Sequence, residues 1–281
     1  MRSDVSAHPN ALVSADWLVA HLDDPGVRFV EVDVSPKSYD EGHIPGAVLW
    51  DIYQDLKDLK YRLVDGTALE TILSRSGITP ATKVVFYGYG PALGYWLLKL
   101  YRHRDASVLN LSKQQWREDG RPWSLDRPEP RPTRYALPEP EQRIRALQSQ
   151  VAASIGAANC TTLDVRSAVE FRGERFWPSG APENTGRAGH IPGARNLSLD
   201  GVVNPDGSYA DADALREIFS GLGGVRDTVT YCTIGNRASI AWFVLSELLG
   251  RRGVAVYDGS WAEWGFMPDA PIETGPAAPA E

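Results

Sequence analysis

The sequence predicts an α/β fold built from two tandem copies of one unit, each a mostly parallel sheet flanked by helices. Three observations predict it. The hexapeptide Gly-His-Ile-Pro-Gly-Ala occurs twice, at 42–47 and 189–194. Short β-branched runs alternate with apolar helical stretches in the same order in both halves. Between the halves, six of the 20 residues in RPWSLDRPEPRPTRYALPEP (121–140) are proline. Proline fixes φ and removes donors, so this stretch reads as an extended linker. The expected division is a first unit at 1–130, a linker at 131–142 and a second unit at 143–281.

Each element follows in order. An apolar strand ending in an aspartate precedes each hexapeptide: VRFVEVDVS (27–35) with Asp33, and CTTLDVRS (160–167) with Asp164. A second strand then runs into a loop and a helix: TKVVFYGYGPALGYWLLKLY (82–101) and DTVTYCTIGNRASIAWFVLSELL (227–249). The runs VVFY and VTYC are short and nearly all apolar or β-branched, as central parallel strands are. ASVLNLSKQQW (106–116) matches VAVYDGSWAEW (254–264), each closing on a tryptophan. Four landmarks in one order, with the hexapeptides offset by 147 positions, define a duplication. Counted from the two aspartates, the second copy carries 16 extra residues before Gly189. They hold Arg172, Arg175, Arg187, Phe176 and Trp177. The insertion reads either as a wall of a site or as a surface loop.

Composition narrows the function classes. The 281 residues are 43% hydrophobic and 23% charged, an ordinary globular composition. A net charge of -7 and a pI near 5.3 argue against a nucleic-acid partner or an anionic membrane surface. No apolar run reaches the ~18 residues of a membrane span, and the N-terminus shows no secretory signal. Two cysteines make no disulfide framework, so a reducing, cytoplasmic setting is expected. No spacing of His, Cys or acidic residues suits a metal, and no cofactor motif stands out. The C-terminal TGPAAPAE reads as a short flexible tail.

The chemistry concentrates at Cys232. It ends a predicted strand, and Thr233, Ile234, Gly235 and Asn236 must turn before helical periodicity begins near Ala238. Such a turn points several backbone N–H groups into one small bowl that favours anions. Gly235 permits positive φ, and Arg237 adds a permanent guanidinium fork. A cysteine facing this bowl is expected to ionise readily and to act as a nucleophile without a dedicated base. Cys160, with no such loop behind it, reads as structural. His43 and His190 occur in both copies while the cysteine occurs in one, so they read as turn residues rather than bases. Asp33 and Asp164 read as strand-end residues, and Trp261 and Trp264 as core or pocket wall.

Taken together, the duplicated D-V…GHIPGA arrangement, the loop CTIGNR and the late YDGSWAEW resemble the tandem two-domain rhodanese family of sulfurtransferases, over about residues 11–275. The resemblance implies a degenerate first unit, with Tyr87 at the cysteine position and no arginine after it, and a catalytic second unit. It implies that Cys232 takes the outer sulfur of thiosulfate and passes it, as a persulfide, to cyanide or a thiol in a ping-pong cycle. Thr233, Ile234, Gly235, Asn236 and Arg237 would bind the anionic donor, with Arg172 and Arg187 from the insertion as further candidates. Three alternatives stay open: 3-mercaptopyruvate as donor, a persulfide carrier serving a protein acceptor, and a phosphatase or arsenate reductase. The last needs a Cys-x5-Arg loop; here four residues separate Cys232 from Arg237. The residue after the cysteine, Thr233, is neither the basic residue of thiosulfate-preferring members nor the glycine of 3-mercaptopyruvate-preferring ones.

Overall fold

A computed structural model describes residues 7–179 and 186–276. Part of the insertion (180–185) and the end of the tail (277–281) lie outside the described residues. The chain divides into two compact units. The first comprises Met1–Asp58, Leu63–Glu141 and Val202–Ala212; the second comprises Leu59–Arg62, Gln142–Gly201 and Asp213–Glu281.

The first unit holds strands β1 (Leu12–Val13), β2 (Val27–Asp33), β3 (Val48–Asp51), β4 (Lys83–Gly88) and β5 (Ala106–Leu109). The second holds β6 (Arg145–Ala146), β7 (Cys160–Asp164), β8 (Arg195–Asn196), β9 (Asp227–Tyr231) and β10 (Val254–Tyr257). The sheet orders are β1-β5-β4-β2-β3 and β6-β10-β9-β7-β8, one permutation repeated. Among the described residues, the strand pairings within both sheets are parallel. The central strands are buried on both faces, which is why β4 and β9 read as unbroken apolar or β-branched runs. Apart from Lys99 in its last turn, the helix Pro91–Leu100 after β4 is apolar and correspondingly buried.

Three devices recur in both units. His43 Nδ1 bonds the Tyr39 carbonyl at 3.0 Å and His190 Nδ1 the Phe171 carbonyl at 2.8 Å. Each imidazole also stacks on that residue's ring, at 3.8 and 3.6 Å. The histidines are therefore structural. The closing tryptophans do the same work twice: Trp116 Nε1 donates to Pro122 O and Trp264 Nε1 to Pro271 O, each at 2.9 Å. Finally, Tyr87 Oη accepts the Ile44 N–H at 3.3 Å, and Tyr231 Oη accepts the Ile191 N–H at 3.2 Å.

The tyrosines correct the internal alignment. Tyr87 is the counterpart of Tyr231, so the cysteine position of the first copy holds Gly88, not Tyr87. The physical reason is strand length. β4 continues to Gly88, which still pairs with Val32, whereas β9 ends at Tyr231 and Cys232 has already left the ladder. The partner carboxylate shifts with it. Tyr87 pairs across the sheet with Glu31, and Tyr231 with Asp164. Glu31, not Asp33, is thus the counterpart of Asp164, and the insertion measured from it is 14 residues rather than 16.

The proline-rich stretch has almost no regular structure, yet it is fastened to the first unit. Thr133 N–H donates to Ser74 O, Leu137 N–H to Glu70 Oε1, and Glu141 N–H to Leu100 O. Tyr135 meets His103 Nδ1 at 2.8 Å in a buried contact. Few backbone donors and an extended path make a strap here rather than a loose tether.

Candidate active site

β9 delivers Cys232 to the C-terminal edge of the second sheet. The loop turns at Gly235, whose φ is 88°, and a helical run begins at Asn236 (Asn236–Trp242, then π-wound through Phe243–Leu248). Only glycine adopts that φ without strain. The cysteine is buried, 1% exposed.

The short helix Ser260–Trp264 orients the loop from outside. Trp261 N–H donates to Cys232 O at 3.0 Å, and Ala262 N–H to Thr233 O at 2.8 Å. Cys232 N–H donates to Ser260 Oγ at 3.1 Å, and that hydroxyl donates to Tyr257 O at 2.7 Å. The loop carbonyls are thereby drawn to one side. On the other, Gly235 N–H donates to Cys232 Sγ at 3.2 Å. Among the described residues, the N–H groups of Ile234, Asn236 and Arg237 take no acceptor. A sulfur atom that accepts one loop N–H, in a loop whose neighbouring N–H groups take no acceptor at a helix start, is an arrangement suited to holding an anion.

Arg237 is placed differently from the sequence expectation of a free fork. Its Nη1 donates to Glu170 Oε2 at 2.9 Å and its Nη2 to Glu170 Oε1 at 2.7 Å. Nη2 also donates to Thr233 Oγ1 at 2.7 Å, and that hydroxyl donates to Glu170 Oε1 at 3.0 Å. Glu170 is fixed in turn by the helix Ala168–Phe171, whose capping box gives it the Ser167 N–H and hydroxyl. Burial alone would raise the Glu170 carboxyl, but bonding to Arg237 and to Ser167 overrides burial and holds it down at about 2. Arg237 is likewise held charged, because bonding to Glu170 outweighs its burial.

A second ion pair lies beside the first. Arg166, fully buried, grips Asp164 through Nε at 3.0 Å and Nη2 at 2.6 Å, and donates to Gly189 O at 2.7 Å. Its guanidinium lies 4.5 Å from the Trp261 ring.

The structure therefore brings Cys232, Thr233, Ile234, Gly235, Asn236 and Arg237 together. Arg172 and Arg187 have other partners. Arg172 Nε pairs with Glu174 at the surface. Arg187 Nη2 caps the carbonyls of Met267 and Ala270. Neither set of partners belongs to the cysteine loop. Within the insertion, Phe176 is buried against Trp177 and Phe266. Cys160 starts β7 half-buried, and burial pushes its thiol up. Three residues escaped the sequence reading: Arg166, Glu170 and Ser260. Arg166 stands only two positions after its partner Asp164. Glu170 carried a visible signal, the Ser167-Ala-Val-Glu170 capping-box spacing, but its bond to a residue 67 positions away had none. Ser260 carried no signal, because its role depends on a φ of 51°.

Such a site belongs to a class of thiol proteins that handle small anions at a helix mouth. The rhodanese-like domain model matches the chain twice, at 14–119 and 147–266, and the chain belongs to that family. A Mycolicibacterium smegmatis protein named "Putative thiosulfate sulfurtransferase" is 41% identical, over 96% of this chain and 99% of its own. The Thermus thermophilus sulfur carrier protein TtuD is also 41% identical, over 96% and 98%. Among solved structures, an anaerobic ergothioneine biosynthesis enzyme from Chlorobium limicola, in complex with trimethyl histidine, superposes with a TM-score of 0.83 at 26% identity, covering 96% of this chain and 71% of that one. Another, of a variant of EanB described as a cysteine persulfide in a tetrahedral intermediate state with ergothioneine, superposes with a TM-score of 0.83 at 26% identity, covering 96% of this chain and 72% of that one. These relatives support sulfur transfer or sulfur carriage as the general activity, with a sulfur donor and an acceptor as partners. No helix among the described residues is long and apolar enough to cross a membrane.

Proposed function

We propose that the chain moves a sulfane sulfur from thiosulfate to cyanide or a thiol through a persulfide on Cys232. The observation that carries this reading is the buried Sγ accepting the Gly235 N–H, in a loop whose neighbouring N–H groups take no acceptor among the described residues while its carbonyls are held by Trp261 and Ala262. The Cys232 thiolate attacks the outer sulfur of thiosulfate, the S–S bond of the donor breaks, and sulfite leaves with the electron pair. The persulfide anion so formed accepts from the loop N–H groups, which stabilise its terminal charge. Cyanide or a thiolate then attacks the outer sulfur, thiocyanate or a new persulfide departs, and the Cys232 thiolate returns. The second unit is catalytic; the first, with Gly88 at the equivalent position, has no nucleophile there. A free working thiol suits the reducing cytoplasm.

The test is intact mass after thiosulfate and, separately, after 3-mercaptopyruvate, with Cys232→Ser as control. A gain of one sulfur atom, lost on adding cyanide and absent in the variant, is expected with thiosulfate. A gain only with 3-mercaptopyruvate would reassign the donor. The relative named a sulfur carrier favours a second reading, in which the persulfide is handed to a protein acceptor. Loading without steady-state turnover on cyanide or small thiols would select it.

A further inference from the structure

We propose that Glu170 sets the donor charge this site accepts, by locking Arg237 into a neutral pair within the loop wall. The proposal deepens the persulfide reading above and rests on it for the identity of the donor.

A loop ending in arginine would ordinarily offer that charge to its ligand. Here both terminal nitrogens of Arg237 are committed to Glu170, and Thr233 Oγ1 closes the ring between them. The carboxylate is 1% exposed and the guanidinium 26% exposed, so water does not release the pair. The other arginine near the loop, Arg166, is cancelled in the same way by Asp164. The side-chain charges around Cys232 therefore sum to zero in these two pairs. What remains to hold an anion is the partial charge of the backbone N–H groups. Such a bowl suits the single charge of a persulfide. A doubly charged donor gains from the N–H groups but from no net side-chain charge.

Glu170 is well built for this role. Its hydrogen bonds go to Thr233 and Arg237, so it fixes loop residues 233 and 237 from a helix 67 positions before Arg237, where its capping box with Ser167 holds Oε2. It is a positioning and specificity residue, not a catalytic one. Removing its charge while keeping its shape should leave a net positive charge at the loop. Coulomb attraction scales with ligand charge, so a dianion must gain more than a monoanion, and salt must erase the difference.

The experiment measures binding of thiosulfate and thiocyanate to the Cys232→Ser protein by calorimetry, with and without Glu170→Gln. The expected result is thiosulfate binding tightened about three- to tenfold, thiocyanate by roughly the square root of that factor, and both gains shrinking as salt rises. Glu170→Asp, which keeps the charge, should tighten neither. Arg237→Gln provides the opposite sign and an independent reading should Glu170→Gln fold poorly: thiosulfate must weaken more than thiocyanate. Equal factors for both anions, or an aspartate that behaves like glutamine, would overturn the proposal. In the active chain, Glu170→Gln should lower KM for thiosulfate without raising kcat. Sulfur loading of the wild type, followed by mass in parallel, keeps the two ideas apart. Charge-dependent binding without any sulfur gain would refute the persulfide and leave the role of Glu170 standing.

Discussion

Ser260→Ala isolates the contact that holds the cysteine backbone in place. The Ser260 side chain is fully buried, accepts from Cys232 N–H at 3.1 Å and donates to Tyr257 O at 2.7 Å. Alanine meets the same left-handed backbone, φ 51°, and so carries the same strain. The difference between the two proteins is then the hydroxyl alone. Its loss leaves one buried N–H and one buried carbonyl unpaired, at about 1–3 kcal/mol each. Allowing for partial relaxation, the substitution should cost about 2–4 kcal/mol. In a unit of this size that corresponds to a Tm lower by roughly 6–14 °C. Urea unfolding gives the stability, and hydrogen exchange at the Cys232 amide gives the local effect. Protection of that amide should fall by at least as much as global stability does. A cost under about 0.5 kcal/mol, the range of an unremarkable surface change, would refute the account of Ser260 as the anchor of the loop.

Four further outcomes follow from the same geometry. Arg237→Ala should cost about 3–5 kcal/mol in urea unfolding, because it strands the buried Glu170 carboxylate; adding Glu170→Gln to it should recover part of that loss. The depressed Glu170 carboxyl, held at about 2 against 4.5, contributes stability that is complete above the higher value and is lost as pH falls towards the lower, so an acid titration of stability should flatten in this window in Glu170→Gln. His103 is buried against Tyr135 and Thr82 O, and burial lowers its value, so the strap contact should be intact above pH 6.5 and weaken as pH falls below it; Tyr135→Phe, which leaves His103 Nδ1 without its donor, should raise proteolysis within 125–140 even at neutral pH. Gly88→Cys should form no persulfide and should destabilise the first unit, because φ is 100° there and an added Cβ would lie 2.9 Å from Val32 O; any sulfur gain on that cysteine would contradict the alignment drawn from the tyrosines.

The duplication, the parallel α/β units and the cysteine loop were legible because each rests on local signals: a repeated turn peptide, β-branched runs and a glycine before a helix. Two parts were illegible for different physical reasons. The true alignment differs by one residue at Tyr87 because apolar strand ends look alike in sequence; the hydrogen bonds of Tyr87 and Tyr231 to the isoleucine N–H groups and their pairing with Glu31 and Asp164 show which residues correspond. The charge state around Arg237 could not be read, because a guanidinium is counted as free until its partner is known. That partner, Glu170, lies on another element, at a distance no periodicity encodes. Arg172 and Arg187 looked available for the same reason, and both proved to have partners of their own.

The two copies differ most sharply in what one serine does. Counting back from the closing tryptophans, Ser112 corresponds to Ser260 and Lys113 to Trp261. In the first copy Ser112 is an ordinary N-cap with φ −73°, its hydroxyl accepting from Gln115 N–H. Lys113 reaches Glu31 at 2.5 Å, giving the buried carboxylate beside Tyr87 its cation. In the second copy that cation comes from the strand end instead: Arg166 binds Asp164, and its counterpart in the first copy is Asp33. The place vacated by lysine is filled by the Trp261 indole, which lies against Arg166. The final helix is thus released from supplying charge, and Ser260 from capping its own turn. Both are free to face the loop: the serine takes the Cys232 N–H, and the first-turn amides take the Cys232 and Thr233 carbonyls. The strained φ of Ser260 accompanies that redirection, stored where the surrounding bonds over-determine it. Placing a cysteine in the first copy would therefore not rebuild a site, because among the described residues no amide of the Lys113–Glu118 helix donates to the Gly88 or Tyr89 carbonyl as Trp261 and Ala262 donate to those of Cys232 and Thr233.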